Sequence, residues 1–246
     1  MEGAINPSFP LSLADAKRAL KTMAADTKRL ARPLVLLAGY LDPHASVMVL
    51  RRRLGRLTGD DRILGASFVA CTSFDMCRDR VIRAVDKRFP CRDPRWTTEV
   101  DVCGVSMGGL VARCAAAVSR RDASARRLRI ARLFTISTPH RGAVRAEAAG
   151  VTQLQRDMRP GSAFLKRLED SEREGAYPIY PYVRLHDRVA GAANAAPRGR
   201  AAWWVPNRPL QPPHVGAALD ARILADIARR LRGEPPFTTE PPAPLP

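Results

Sequence analysis

The apolar positions along this chain change their period again and again. Residues 33–40 (Pro-Leu-Val-Leu-Leu-Ala-Gly-Tyr) form an unbroken apolar run, the pattern of a strand buried on both faces of a parallel sheet. Short strand-like runs recur at 63–69, 96–105, 128–136, 180–185 and 203–206. Between them the spacing becomes helical. In 11–31, Leu13, Ala16, Leu20, Met23 and Ala24 share one face among lysines and arginines. Helices are also predicted over 46–57, 73–88, 107–119 and 217–231, the last carrying Ile223, Leu224, Ile227 and Leu231 on one side. Strands alternating with helices predict an α/β fold: a doubly wound, mostly parallel sheet with helices on both faces and right-handed crossovers. Residues 143–180 interrupt this rhythm, scattering Leu154, Met158, Phe164, Leu165 and Leu168 among polar residues. From Glu234 the chain turns proline-rich, so 234–246 is expected to be a disordered tail on a single domain over 1–233.

The stretch from Val100 to Arg113 carries the first candidate chemistry. An apolar alternation runs into Gly104-Val105-Ser106-Met107-Gly108, and an Ala- and Val-rich helical segment follows. Strand, sharp turn and helix with a serine at the turn is the context of a nucleophile elbow. Such a turn crowds the positions two before and two after the serine, and Gly104 and Gly108 carry no Cβ there. Ser106 Oγ is then lifted clear of the backbone, and the amide of Met107 points to where an oxyanion would form.

On these residues the chain resembles the alpha/beta-hydrolase family, and within it the lipase and esterase branch. The resemblance spans roughly 33–232. It implies that the loop after the first central strand, Gly39-Tyr40-Leu41, supplies a second oxyanion amide at Tyr40; the His-Gly pair usual in lipases is Ala38-Gly39 here, and Tyr40 could instead be only a lid. It implies a small helical cap over 143–180. Thr138-Pro139-His140-Arg141-Gly142 also looks lipase-like. Leu41, His140, Phe164 and Leu165 are the residues expected to wall a substrate pocket, His140 being otherwise structural.

A serine hydroxyl needs a histidine to take its proton and an acid to orient that histidine. The chain order in this fold is serine, acid, histidine. Of the four histidines, His44 and His140 do not fit that order, and His186 adjoins Asp187 on one loop. His214 lies between the last strand and the closing helix, where the base belongs, and His214-Val215-Gly216 resembles the same region of lipases. Asp187 follows a late strand in Leu185-His186-Asp187-Arg188-Val189, resembling the family's acid position. Asp157, Glu169 and Asp170 fall in the presumed cap, and Asp220 follows the histidine. The candidate triad is therefore Ser106, Asp187 and His214.

Charge and cysteine content change this picture little. The net charge is +17, with 36 arginines among 41 basic residues. They are spread along the chain without interleaved aromatics, so no specific nucleic-acid site is expected, although the basic helix in 11–31 could touch an anionic membrane. The five cysteines show no zinc spacing, and their odd number argues against a full disulfide set, with a Cys71–Cys91 or Cys77–Cys91 bridge left open. No metal motif, phosphate loop or cofactor is expected. No apolar run reaches the ~18 residues of a membrane span, and the first residues do not read as a secretory signal, so the default expectation is cytoplasmic. Together these readings predict a serine hydrolase of carboxylic esters, an esterase or lipase acting on a small-molecule or lipid ester. A thioesterase or acyltransferase on the same triad is the near alternative. A non-catalytic basic module for anionic lipid or nucleic acid is the distant one.

Overall fold

The structure is a computed structural model and describes residues 6–119, 122–144, 151–172 and 177–246. Its centre is a six-stranded sheet of β1 (Leu34–Leu37), β2 (Ile63–Ala66), β3 (Val100–Val105), β4 (Ile130–Ile136), β5 (Ile179–Arg184) and β6 (Trp203–Val205). The strands lie in the order β2-β1-β3-β4-β5-β6, and every pairing is parallel. The expected doubly wound parallel sheet is present.

Strand periodicity divides the core into two layers. Val35 and Leu37 of β1, with Val100, Val102 and Leu133, pack against α3 (Phe74–Arg88) and α4 (Met107–Ala116). Leu34 and Leu36, with Cys103, Val105, Phe134, Ile136 and Tyr182, face the opposite way. There they meet α1 (Leu13–Ala25), α2 (Ala45–Thr58) and the C-terminal helix α8 (Ala221–Leu231). Local chemistry sets the helix starts: Ser12 and Ser73 cap α1 and α3 by accepting from Asp15 N–H and Met76 N–H, and Asp220 caps α8 through Arg222 N–H.

Several boundaries differ from the sequence expectation. The first helix ends at Ala25 rather than near Ala31, because the segment beyond it is extended and Leu30 gives its N–H to buried Asp60 (3.1 Å). The closing helix is two: α7 (Pro213–Ala217) and α8 are broken at Asp220, whose carboxylate caps the second. His214 thus sits on a short helix, not on a loop. Within 143–180 the described residues form α5 (Gln153–Asp157) and α6 (Ala163–Glu172), and β5 already begins at Ile179; the parts of that interval at 145–150 and 173–176 lie outside the described residues.

Residues 234–246, expected to be a disordered tail, lie against the domain instead. Trp203 Nε1 donates to the Thr239 carbonyl (2.9 Å) and Trp204 Nε1 to the Pro244 carbonyl (3.1 Å). Thr239 and Ala243 donate their N–H groups to Ser8 (2.9 and 2.8 Å), and Asp226 accepts from Thr238 N–H (3.0 Å). A proline-rich segment cannot build a core of its own, but the backbone groups of this one answer polar groups of a core built elsewhere, among them two indole N–H donors and the Asp226 carboxylate. The five cysteines are free thiols, with neither of the two bridges left open by the sequence. Burial pushes Cys103 and Cys114 up to about 12, so both stay protonated.

Candidate active site

Ser106 occupies the junction of β3 and α4 with φ 52 and ψ −122, a left-handed backbone that a non-glycine residue adopts only under constraint. The constraint is visible atom by atom. Its N–H donates to the Ile136 carbonyl (2.8 Å), and its carbonyl accepts from Thr138 Oγ1 (2.8 Å) and Gly109 N–H (3.2 Å). The glycines permit the turn, though not by meeting only each other. A Cβ at Gly104 would stand 2.6 Å from the carbonyl carbon of Gly108, whereas a Cβ at Gly108 would overlap the Leu37 carbonyl oxygen on neighbouring β1. Gly109, to which the sequence reading assigned no role, makes room for the Thr138 side chain. Thr138, which the sequence marks only as part of the lipase-like Thr138-Pro139-His140-Arg141-Gly142 turn, is thereby a support of the elbow.

His214 comes to Ser106 from α7. Its Nε2 lies 2.9 Å from Ser106 Oγ, and its Nδ1 lies 2.8 Å from Oδ2 and 3.0 Å from Oδ1 of Asp187. The carboxylate can only accept, so Nδ1–H donates to it and Nε2 is left to accept from the serine hydroxyl. Asp187 is buried on the turn after β5, and its Oδ1 also accepts from the N–H groups of Val189 (3.0 Å) and Ala190 (3.1 Å). Burial pushes its carboxyl up, but the hydrogen bond and charge attraction of His214, with the Ala190 amide, outweigh that and hold it below the ordinary carboxylate value. The structure therefore brings the three residues singled out from the sequence into one hydrogen-bonded chain. A hydroxyl donating to a neutral imidazole whose other nitrogen faces a buried carboxylate can release its proton as the oxygen attacks an electrophile.

Around this chain, Met107 is the first residue of α4, where helical N–H groups have no partner within the helix. Gly39 closes against Ser106 so tightly that a Cβ there would be 3.3 Å from the serine Cβ. Tyr40 follows it, and its hydroxyl lies 3.2 Å from Thr152 Oγ1 at the start of α5, tying the β1 loop to that segment. Leu41 is 63% exposed. The other pocket candidates are placed differently. Phe164 is buried with one ring face stacked on Phe74, centroids 3.9 Å apart, and Leu165, buried in the same cluster, lines a small cavity together with His140 and Arg113. His140 is buried with Nδ1 3.1 Å from Arg113 Nη1 and Nε2 3.0 Å from Thr135 Oγ1. Arginine only donates, so Nδ1 accepts and the ring is neutral; burial and the charges of Arg113, Arg200 and Arg141 hold its pKa well below that of a free imidazole. His186 pairs with Asn207 (2.7 Å) on the surface, away from the chain of three. Among the described residues no cluster of three or more His, Cys, Asp or Glu could hold a metal, and no helix is long and apolar enough to cross a membrane.

Comparison with known proteins adds the following. A profile of the PGAP1-like alpha/beta domain matches residues 79–174, from within α3 to just past α6, which includes Ser106 but neither Asp187 nor His214. No curated protein sequence matches the chain. Among solved structures, a protein designated a cell surface hydrolase from Lactobacillus plantarum superposes with TM-score 0.50 at 13% identity, over 85% of this chain and 94% of that one. Phospholipase PlaB from Legionella pneumophila superposes with TM-score 0.49 at 14% identity over 66% of this chain, which spans 41% of the phospholipase. Est1E from Butyrivibrio proteoclasticus gives TM-score 0.49 at 13% identity, over 85% of this chain and 90% of that one. At 13% identity the likeness to the Lactobacillus protein speaks to the fold alone. The strand order, the strained serine turn and the superposition of 85% of this chain on the Lactobacillus protein together identify an alpha/beta-hydrolase fold, with a PGAP1-like alpha/beta segment over residues 79–174.

Proposed function

We propose that this protein is a serine hydrolase of carboxylic esters. The observation that carries the reading is the unbroken hydrogen-bonded chain from Ser106 Oγ through His214 to buried Asp187. Ser106 attacks the ester carbonyl while His214 Nε2 takes its proton. The N–H groups of Met107 and Tyr40 receive the oxyanion. His214 then returns the proton to the leaving alcohol, and water, deprotonated by the same imidazole, splits the acyl-enzyme. Asp187 holds the ring in the required tautomer and balances its charge. A thioester would follow the same path, and an alcohol in place of water would make the reaction an acyl transfer.

The substrate class we favour is a lipid ester presented at an anionic surface. Leu41 and Val215 are exposed although each belongs to a segment that forms the site, and Leu210, four residues before His214, is fully exposed. Leu41 lies two residues past Gly39, and Val215 directly follows His214. Exposed apolar side chains at the mouth of a site, on a chain of net charge +17, match a negatively charged lipid–water boundary.

The test is labelling by a fluorophosphonate together with hydrolysis of p-nitrophenyl esters. The wild type reacts at Ser106, and Ser106→Ala keeps the fold but loses both labelling and turnover. A folded Ser106→Ala protein with full esterase activity ends this assignment.

A further inference from the structure

The acid and the base beside Ser106 are 27 residues apart in sequence and come from different segments, so something must hold those segments in register. Arg184, the last residue of β5, touches both. Its carbonyl accepts from the Asp187 N–H (3.1 Å), closing the turn that presents the carboxylate. Its guanidinium is completely buried and reaches under α7. There Nε and Nη2 donate to Asp220 Oδ2 (3.1 and 2.8 Å), and Nη2 also donates to Gln211 Oε1 (3.1 Å), just ahead of α7. Gly216, two residues past His214, rests on this group so closely that a Cβ would overlap Nη1.

Charge balance does not require Arg184. Asp220 already accepts from Arg222 through its N–H (3.0 Å), Nε (2.9 Å) and Nη2 (2.9 Å), and this pairing suffices to cap α8. Adding Arg184 leaves two guanidinium groups on one carboxylate in the interior, and among the described residues the buried Arg184 Nη1 has no hydrogen-bond partner. Burying a donor that way is unfavourable, so the arrangement points to a use beyond stability. A rigid planar fork is the side chain suited to fixing a distance.

We propose that Arg184 is a positioning residue: it sets the separation between the Asp187 turn and α7, so that His214 Nδ1 stays within hydrogen-bond reach of the carboxylate. This rests on the triad reading above. A misplacement of about 1 Å in such a site lowers turnover on the order of 100-fold.

The experiment compares Arg184→Lys, Gly216→Ala, their combination, and Arg222→Lys as the control that meets the same carboxylate away from Gly216. Three quantities are read: kcat and KM on a soluble p-nitrophenyl ester, the thermal midpoint, and the downfield proton resonance of the His214 Nδ1–H, assigned by its loss in Asp187→Asn. Arg184→Lys and Gly216→Ala each lower kcat about 10- to 100-fold with KM nearly unchanged, and each shifts or broadens the resonance. The combined variant falls short of the product of the single effects, because lysine vacates the space that the alanine methyl needs. Arg222→Lys lowers the thermal midpoint and leaves kcat and the resonance in place. If Arg184→Lys and Gly216→Ala change only the thermal midpoint, the role is structural and the proposal is wrong; should Arg184→Lys fail to fold, Gly216→Ala decides alone. The resonance does not depend on turnover, so it tests the positioning even if no ester proves to be a substrate.

Discussion

Replacing Asp187 with asparagine separates orientation from packing, because the two side chains have the same shape. The backbone around residue 187 dictates how an asparagine would lie. Its Oδ1 must go on accepting from the N–H groups of Val189 and Ala190, since an amide NH2 in that place would face two donors. The NH2 group is therefore sent to the Oδ2 position, 2.8 Å from His214 Nδ1. Two donors cannot share that contact, and Oδ1, 3.0 Å from Nδ1, already accepts from two N–H groups, so the imidazole moves its proton to Nε2 and accepts at Nδ1. The nitrogen facing Ser106 Oγ across 2.9 Å then carries a hydrogen and cannot act as a base. The wrong tautomer in a site of this kind lowers turnover by about 10³- to 10⁴-fold, which is about 4–5.5 kcal/mol in the barrier.

The assay is kcat/KM on p-nitrophenyl butyrate, with the rate of fluorophosphonate labelling as a second measure and a thermal melt to establish the fold. Stability provides a further check with a definite sign. The folded carboxyl titrates below its ordinary value, so its contribution is complete above the unfolded-state pKa of about 3.9 and is lost as pH falls through the lower folded value. The stability gap between wild type and Asp187→Asn should accordingly close on acidification below about pH 4. A folded Asp187→Asn within about tenfold of wild type would mean that Asp187 does not orient the base, and the site would need another acid.

Other outcomes follow from single contacts. Gly108→Ala drives a methyl into the Leu37 and Ala38 carbonyls and should destabilise by about 3 kcal/mol or prevent folding; Gly55→Ala, whose Cβ meets nothing closer than 3.8 Å within a helix, should stabilise by about 0.5–1 kcal/mol. Equal urea midpoints for the two would refute the packing argument. His140 resists protonation when folded, so below about pH 6.5 the unfolded chain binds a proton that the folded one does not, and stability falls. Urea midpoints of His140→Gln, whose amide can serve both Arg113 and Thr135, should decline less than those of wild type between about pH 7 and about pH 5; parallel declines would show that His140 does not contribute. Leu210→Asp should weaken binding to phosphatidylglycerol vesicles and slow hydrolysis of esters held in them while leaving soluble p-nitrophenyl acetate hydrolysis intact, and unchanged vesicle binding would remove the lipid-surface reading.

How far the site could be read in advance depends on how local each cause is. The elbow was legible because its elements are consecutive: β3, Ser106 and α4 span Val100–Ala116, and the change of period marks the turn. Asp187 and His214 were reachable because four histidines and a fixed chain order leave few choices; the 2.9 Å contact spans the 108 residues between Ser106 and His214, and the 2.8 Å contact the 27 between Asp187 and His214. What could not be read is matter of contact across the fold. Nothing in the text of the chain says that Gly108 answers to Leu37, that Gly109 answers to Thr138, or that Gly216 answers to Arg184. The tail shows the same thing at the largest scale. Proline-rich composition reports what residues 234–246 could do alone, whereas their order comes from Ser8 and the two tryptophans of β6, partners that composition does not represent. Phe164 shows the same dependence on distant partners. An apolar residue between polar ones fits a pocket wall as well as a core face, and the stacking of its ring on Phe74, ninety positions away, is not written in the residues around it. The residues of the proposed triad sit on or beside elements whose patterns are legible, while the glycines and the buried arginine packed around them are set by tertiary contact; on the proposed reading, substitutions at the second group should therefore change turnover without changing any motif.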